Sequence, residues 1–302
     1  MFGQRKIALA LGGGGARGLA HIGVLKTLER HHIPMDIIVG SGIGAVVGAM
    51  YAQTLHIAEV ESRIKKFFLG DDFKKTGLHL FRRDMHPENF FGQIARAVGN
   101  ELLIQLYADR MSLMKENRLG IVMDELLGDG LIENTRIQFA AVATNMITGK
   151  TEIFREGSIK EAAKASSSIP GFLPPMQYED KVLVDGAVAA QTPVDAAWEM
   201  GADYVIAVDT SRTLAGEAPP VNMVDLLFRT HLITALQANA LMCSRSTVHI
   251  RPEVGHHHWA AFEKMNELIA AGEKSVDASI NAILMALKKE KSRLSKHRLS
   301  KV

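Results

Sequence analysis

The chain has 302 residues, of which 47% are hydrophobic and 23% charged, and its formal net charge at pH 7 is +2. This composition excludes an intrinsically disordered chain, and the length is sufficient for one large α/β domain or two smaller ones. The only cysteine, Cys243, excludes an internal disulfide and therefore favours a reducing compartment.

Two apolar segments bear on membrane association. The run at residues 7–11 is too short for the core of a signal peptide. The most apolar stretch, 37–51, contains four glycines and is too short for a membrane span. We therefore expect a cytoplasmic protein that contacts a membrane, if at all, from its surface, on the inner face.

Charge is concentrated at the C-terminal end of the sequence. Residues 288–302 contain seven Lys or Arg and one Glu, so they carry +6 while the remaining 287 residues carry −4. Two interpretations stay open, a solvated end and a tether to anionic lipid headgroups. Clustered basic residues near a bilayer each contribute about 1 kcal/mol.

Two strand–turn–helix units open the chain. The pattern predicts a strand at 6–11, the glycines 12–15 and a helix at 16–30, and then a strand at 37–39, a turn at 40–44 and a helix at 45–52. Such repeated units predict a central, mainly parallel sheet covered by helices, that is, an α/β fold. Further predicted elements are strands at 137–143, 181–184 and 204–208 and a helix at 275–289.

Residues 53–118 differ from the rest because they are mostly helical in pattern and rich in Lys, Arg and Phe. We interpret them as a helical insertion in a single domain that spans 1–302. The insertion is either a cap over a site or a peripheral layer, and the sequence leaves both open.

Residues 12–15, which we call the glycine loop, lie between a predicted strand and a predicted helix. Backbone N–H groups at such a position favour negative charge. A Walker A loop is excluded because Gly18 is followed by Leu19 rather than by Lys. The dinucleotide pattern Gly13-x-Gly15-x-x-Gly18 is present but lacks the acidic residue expected at the end of the second strand. An oxyanion hole remains, beside the alternative of a turn needed only for close packing.

The second turn resembles a nucleophile elbow without its nucleophile. The elbow pattern is G-x-S-x-G, and the sequence has Gly40-Ser41-Gly42-Ile43-Gly44. The outer glycines fit, while Gly42 occupies the central position. Centring the pattern on Ser41 would place bulky residues where glycine is needed, so we do not expect Ser41 to be the nucleophile.

Four blocks in this order make the chain similar to bacterial patatin-like proteins. The resemblance implies a patatin-like α/β fold and places Gly42 where that family has its nucleophilic serine. It also implies that Asp185 is the base of a Ser–Asp dyad, that Gly13, Gly14 and Gly15 form the oxyanion hole, and that Arg17 binds anions. The blocks are Leu11-Gly-Gly-Gly-Gly-Ala-Arg-Gly-Leu-Ala-His-Ile-Gly-Val-Leu25, Ile38-Val-Gly-Ser-Gly-Ile-Gly-Ala-Val-Val-Gly-Ala49, Ala165-Ser-Ser-Ser-Ile-Pro170 and Val184-Asp-Gly-Ala187.

Other polar residues are weaker candidates. Asp209 follows a predicted strand and is a reserve candidate for the base, but it lacks the glycine that follows Asp185. His21 is interpreted as a packing or capping residue. The run His256-His-His258 is not expected to bind a metal, because adjacent residues cannot share one face and no carboxylate lies at ligand spacing.

The resemblance implies hydrolysis of fatty-acyl esters in phospholipids, lysophospholipids or neutral lipids, with no cofactor, no metal and no nucleic-acid partner. With glycine at position 42 we expect the chain to bind such substrates without turning them over. Three explanations of Gly42 stay open: an engineered knockout, which we favour, a natural non-catalytic lipid-binding or regulatory homologue, and rescue by Ser41. A nucleotide-binding protein that uses the glycine loop is the rival from another class.

Overall fold

The computed structural model describes residues 5–76, 111–112, 114, 117–216 and 219–299. The strands are β1 Ile7–Leu11, β2 Ile37–Ser41, β3 Gln138–Asn145, β4 Thr151–Phe154, β5 Met176–Tyr178, β6 Lys181–Asp185, β7 Tyr204–Val208 and β8 Val248–Ile250. The helices are α1 Ala20–Arg30, α2 Ile43–Thr54, α3 Ile57–Leu69, α4 Asp71–Thr76, α5 Asn117–Leu126, α6 Ile159–Ser166, α7 Val194–Glu199, α8 Met223–Cys243 and α9 Met265–Leu299.

One mixed sheet forms the centre of the fold. Its parallel part has the order β3-β2-β1-β7-β8, while β4 and β6 pair antiparallel with β3, and β5 pairs antiparallel with β6. Helices flank this sheet, so the predicted α/β class is confirmed. As expected for parallel strands, β1 and β2 read as short, fully buried runs.

Strands β2 and β6 meet end to end along one edge of β3. Strand β2 runs parallel to β3 and ends with Ser41 opposite Val142. Strand β6 runs antiparallel and ends with Asp185 opposite Ala143, the next residue of β3. Strand β4 pairs with this part of β3 as well, and it occupies the other edge. The residues that follow β2 and those that end β6 are therefore forced together.

The two faces of the sheet bury cores of different size. Leu9, Leu11 and Ile38 belong to the larger core, which includes α1, α2, α3 and α9. Ala8 and Ala10 point to the opposite face, where mostly small residues and α7 pack. The helical residues described in this smaller core belong to α7 and to the last turn of α8.

The predicted helical insertion is in part a layer of the main core. Helices α3 and α4 bury Ile64, Phe67 and Phe73, and the ring of Phe68 stacks on Phe262 with 4.2 Å between ring centroids. Residues 77–110 lie outside the described residues, so the interpretation as a cap stays a prediction. None of the described helices is long and apolar enough to cross a membrane.

Several predicted boundaries were wrong by a few residues. The turn predicted at 40–44 shrinks to Gly42, because β2 continues to Ser41 and α2 begins at Ile43. The helix predicted at 16–30 starts as a 3-10 helix, Gly15–Leu19, before α1. The helix predicted at 275–289 is the middle of α9, and α8 was not predicted.

Candidate active site

The turn between β2 and α2 consists of a single residue, Gly42. Its backbone has φ +54° and ψ −124°, a conformation that glycine adopts freely and that a residue with a Cβ adopts only under strain. Gly44 is also required, because a Cβ there would collide with the carbonyl oxygen of Leu11. The turn therefore has the tight strand-to-helix geometry of a nucleophile elbow, with Gly42 at its tip.

A side chain at position 42 would face Asp185. A Cβ added to Gly42 would lie 3.4 Å from each carboxylate oxygen of Asp185. A hydroxyl one bond further out would therefore come within hydrogen-bond reach of that carboxylate. The end-to-end meeting of β2 and β6 is what produces this closeness.

The carboxyl group of Asp185 is buried and has few donors. Its Oδ1 accepts a hydrogen bond from the backbone N–H of Ala187 at 2.8 Å. Burial raises the pKa of Asp185 to about 7, and the Ala187 hydrogen bond opposes this rise. A carboxyl group with a pKa near neutrality suits general-base catalysis at physiological pH.

The segment 166–168 forms hydrogen bonds with both Gly42 and Asp185. The N–H of Gly42 donates to the hydroxyl of Ser166 at 2.9 Å, and the N–H of Asp185 donates to the carbonyl of Ser168 at 2.9 Å. The hydroxyl of Thr144 donates to the carbonyl of Asp185 at 2.9 Å. Sequence reasoning recognised the block at 165–170 but missed that Ser166 supports the elbow.

Ser41 does not present its hydroxyl to the site. The residue is fully buried, and its Oγ has no hydrogen-bond partner among the described residues. A Cβ on Gly186 would lie 2.9 Å from this Oγ, whereas a Cβ at position 42 points at the carboxylate of Asp185. The hydroxyl of Ser41 is thus buried, and the expectation that Ser41 is not the nucleophile stays a prediction.

The glycine loop is held by side chains that bind its carbonyl groups. The carbonyl of Gly13 accepts from Gln191 Nε2 at 2.7 Å and from Thr210 Oγ1 at 2.8 Å. His21 Nε2 lies 2.7 Å from the carbonyl of Gly12, so this nitrogen carries the proton. Burial lowers the pKa of His21 to about 4, which keeps the ring neutral. His21 is therefore an anchor of the loop.

The hydrogen bonds of the glycine loop determine which of its backbone N–H groups can donate to a substrate. The N–H of Gly13 donates to the carbonyl of Gln191 at 2.9 Å. Within the described structure the N–H groups of Gly14 and Gly15 make no such hydrogen bond. Because N–H and C=O point in opposite directions across a trans peptide, the bound carbonyl of Gly13 aims the Gly14 N–H away from Gln191. Of the three glycines predicted for the oxyanion hole, Gly14 and Gly15 keep an available donor, and Gly13 does not.

Arg17 lies in the 3-10 helix that follows the loop. The N–H of Ala16 donates to the carbonyl of Trp259 at 2.6 Å, which fixes this helix against the segment before α9. Burial lowers the pKa of His258 to about 4, and the charges of Arg17 and Arg212 lower it further. Arg17 and Arg212 thus place positive charge near His258, and anion binding by Arg17 stays a prediction.

Asp209, the reserve candidate for the base, is surrounded by donors. Its Oδ1 accepts from the N–H of Ser211 at 2.9 Å and from Asn239 Nδ2 at 3.0 Å. Its Oδ2 lies 3.7 Å from His249 Nε2 and 3.6 Å from Arg251 Nε. These partners outweigh burial and hold the pKa of Asp209 at about 2. Such a stabilised carboxylate is a weak base.

The histidine run has a carboxylate beside it that sequence spacing could not place. The fold brings Glu267 of α9 to His256 and His257, with their potential ligand atoms all within 4.8 Å of one another. Asp209, Cys243 and His249 form a second group of this kind. Exposed or ion-paired groups of this type are common without a metal, and we assign no ion to either.

The fold and the site match a known family. The model of the patatin-like phospholipase family matches residues 9–198. The matched range includes the glycine loop, Gly42 and Asp185. The chain therefore belongs to the patatin-like phospholipase family.

Curated relatives carry lysophospholipase or phospholipase-domain names. The lysophospholipase nte1 of Aspergillus fumigatus is 34% identical over 205 residues, which cover 68% of this chain and 12% of that protein. The Caenorhabditis elegans patatin-like phospholipase domain-containing protein ZK370.4 is 31% identical over 205 residues, 67% of this chain and 13% of that protein. The lysophospholipase NTE1 of Scheffersomyces stipitis is 28% identical over 298 residues, 90% of this chain and 18% of that protein. The chain spans less than a fifth of the length of these relatives.

Solved structures show more distant likeness. VipD from Legionella pneumophila gives a TM-score of 0.45 at 13% identity and covers 93% of this chain and 67% of its own. The human GIVD cytosolic phospholipase A2 in complex with methyl gamma-linolenyl fluorophosphonate gives 0.36 at 14% identity, covering 94% and 60%.

Proposed function

We propose that this chain is the scaffold of a lipid acyl hydrolase whose nucleophile position holds glycine. It binds fatty-acyl esters without hydrolysing them, and a serine at position 42 completes a Ser–Asp dyad. The observation that carries the proposal is the distance of 3.4 Å from a Cβ on Gly42 to each carboxylate oxygen of Asp185.

The proposed chemistry assigns one role to each group. In the chain with serine at position 42, Asp185 accepts the hydroxyl proton as Oγ attacks the acyl carbonyl carbon. The N–H groups of Gly14 and Gly15 donate to the oxyanion of the tetrahedral intermediate. Asp185 then returns the proton to the departing alcohol, and it activates the water that hydrolyses the acyl-enzyme. The raised pKa of Asp185 supports this role because a stronger base accepts the proton more readily.

The proposed substrates are fatty-acyl esters of phospholipids, lysophospholipids or neutral lipids. Membership of the patatin-like phospholipase family supports this class, and so do the lysophospholipase names of the relatives. The charges of Arg17 and Arg212, which act on His258, favour a substrate with a negatively charged group.

We favour an engineered replacement of serine as the origin of Gly42, because Asp185, the glycine loop and the anchors of both are intact around it. The buried hydroxyl of Ser41 weighs against rescue by that residue. The codon at position 42 in the native gene distinguishes an engineered replacement from a natural non-catalytic homologue.

The experiment that tests the function compares the chain as given, Gly42→Ser, and Gly42→Ser with Asp185→Asn on a panel of acyl esters. We expect activity from the Gly42→Ser protein alone, together with its labelling by a fluorophosphonate probe. An inert Gly42→Ser protein would refute the proposed function. Labelling of Ser41 in the chain as given would refute the claim that this chain lacks a nucleophile.

A further inference from the structure

Helix α8 exposes a long face that carries no formal charge. Its inward stripe holds the buried residues Asn239 and Cys243 and the half-buried Asp225 and Arg229. None of the positions described as exposed on this helix is Asp, Glu, Lys or Arg. The exposed residues are Met223, Leu226, Leu227, Thr230, His231, Ile233, Thr234, Gln237, Ala238, Ala240 and Leu241.

The helix extends from the edge of the sheet that carries the candidate active site. Asn239 already contacts Asp209, the residue that follows β7, with Nδ2 at 3.0 Å from Oδ1. The chain leaves β7 at this edge and returns along α8, so the sixteen residues before Asn239 lie on the same side. At a rise of about 1.5 Å per residue this part of the helix is about 24 Å long. Among its described side chains none is buried.

Other exposed apolar side chains lie at the same edge. Met146 and Ile147 form the turn after β3 and are 57% and 66% exposed. Val188, three residues after Asp185, is 51% exposed. Together with α8 these residues form an apolar rim at the edge of the sheet where Gly42 and Asp185 lie. Exposed apolar surface of this extent, gathered in one region, marks an interaction site.

We propose that the outward face of α8 docks on the surface of a lipid bilayer, with Met146, Ile147 and Val188 as a second point of contact. This inference rests on the proposed function, because a hydrolase of membrane lipids must receive its substrate from the bilayer. A second copy of the chain seated on the same rim would cover the entrance to Gly42 and Asp185, whereas a bilayer supplies the substrate there. Apolar side chains of a helix that lies on a bilayer insert into the boundary between headgroups and acyl chains.

The charge pattern sets the lipid dependence. Because the exposed positions described on α8 include no Asp, Glu, Lys or Arg, its binding does not require anionic headgroups. We therefore expect the chain to bind vesicles of zwitterionic phosphatidylcholine, and we expect this binding to persist at high salt, where contacts through the basic residues 288–302 are screened.

The test is vesicle flotation of the chain as given, with a double variant, Leu226→Asp with Ile233→Asp, on one side of α8. The matched control, Leu69→Asp with Met285→Asp, introduces the same charges at apolar side chains that are 70% and 68% exposed elsewhere. We expect the partition coefficient on phosphatidylcholine vesicles to fall at least about tenfold for the α8 variant, since burial of each Leu or Ile is favourable. We expect a change of less than about twofold for the control.

Two results would overturn the proposal. Equal binding by the α8 variant and the control would show that α8 does not touch the bilayer. A parent dimer in sedimentation that becomes a monomer in the α8 variant would show that a second copy covers this face. If the aspartates unfold the helix, the milder pair Leu226→Gln with Ile233→Gln replaces them. This pair must also lower the partition coefficient on phosphatidylcholine vesicles relative to the control. Vesicle binding needs no turnover, so its failure is distinguishable from an inert Gly42→Ser protein.

Discussion

Two buried carboxylates, Asp185 and Asp209, lie at the ends of strands of the same sheet, and their pKa values are shifted in opposite directions. Asp185 ends β6 and accepts one backbone hydrogen bond, from Ala187, so burial raises its pKa to about 7. Asp209 follows β7 and is held by two N–H donors and two cationic side chains, so its pKa falls to about 2.

The number of donors around each carboxylate explains this difference. Burial alone disfavours the charged form of both groups, and the number of donors decides the sign of the shift. Both carboxylate oxygens of Asp209 contact donors or cationic side chains. One oxygen of Asp185 has no donor among the described residues, and both oxygens face position 42. The same substitution, Asp to Asn, should therefore have different consequences at the two sites.

The largest expected difference is in catalysis. In the Gly42→Ser protein we expect Asp185→Asn to lower kcat for ester hydrolysis by a factor on the order of 10⁴ or more, because the hydroxyl loses its base. Asp209→Asn in the same background should retain most of the activity, measured at a temperature at which the protein is folded. Comparable losses from both substitutions would remove the distinction between the two carboxylates.

The next difference is in the pH dependence of stability. The folded-state pKa of Asp185 lies above its unfolded value, so the folded chain binds more protons between about pH 4 and pH 7 and loses stability as pH rises through that window. We expect Asp185→Asn to remove this loss and to stabilise the chain as given by at most about 4 kcal/mol at pH 8. The gain should vanish near pH 4. Urea unfolding across this pH range checks the prediction, and a gain independent of pH would contradict it.

At Asp209 the sign is reversed. Its folded-state pKa lies below the unfolded value, so its contribution to stability is present above about pH 4 and is lost as pH falls towards 2. We expect Asp209→Asn to destabilise the chain by about 2 kcal/mol near pH 6. The effect should shrink as pH rises to 8, because Asp209 raises the pKa of His249 to about 9 and the stability from that pair is lost above the ordinary pKa of histidine. The same urea experiment provides the measurement. A stabilising effect would mean that Arg251 and His249 do not compensate the buried charge.

Sequence patterns predicted the parts of this site that are local in the chain. The alternation of buried strand, glycine turn and helix predicted β1, β2 and the elbow, because these elements are specified by neighbouring residues. The position of Asp185 came from the resemblance to a family, since its contact with position 42 depends on β2 and β6 meeting along β3. No local pattern encodes that register.

The structural supports were not predictable for the same reason. Ser166 binds the elbow across 124 residues of sequence, and Gln191 holds the glycine loop across 178 residues. Helix α8 was missed because apolar residues occur on its exposed face as well as its inward stripe, which obscures the usual amphipathic period. The features that could not be predicted from sequence were thus the long-range hydrogen bonds and α8, which exposes apolar residues.

The smallest expected effect concerns the backbone at position 42 itself. A Cβ there has ordinary contact distances to Asp185 and to Gly13 Cα, 3.4 and 3.6 Å, so space is sufficient and the cost arises from φ +54°. Such strain costs about 1–3 kcal/mol, and loss of unfolded-chain entropy on replacing glycine returns at most about 1 kcal/mol. We therefore expect Gly42→Ala to melt a few degrees below the chain as given.

The melting temperature of Gly42→Ser should lie between those of the chain as given and Gly42→Ala, because the serine hydroxyl donates to the carboxylate of Asp185 and offsets part of the strain. Adding Asp209→Asn should lower all three melting temperatures by a similar amount, whereas adding Asp185→Asn should remove the advantage of serine over alanine. If alanine melts as high as glycine, the elbow is unstrained, and if serine melts no higher than alanine, the hydroxyl does not reach Asp185.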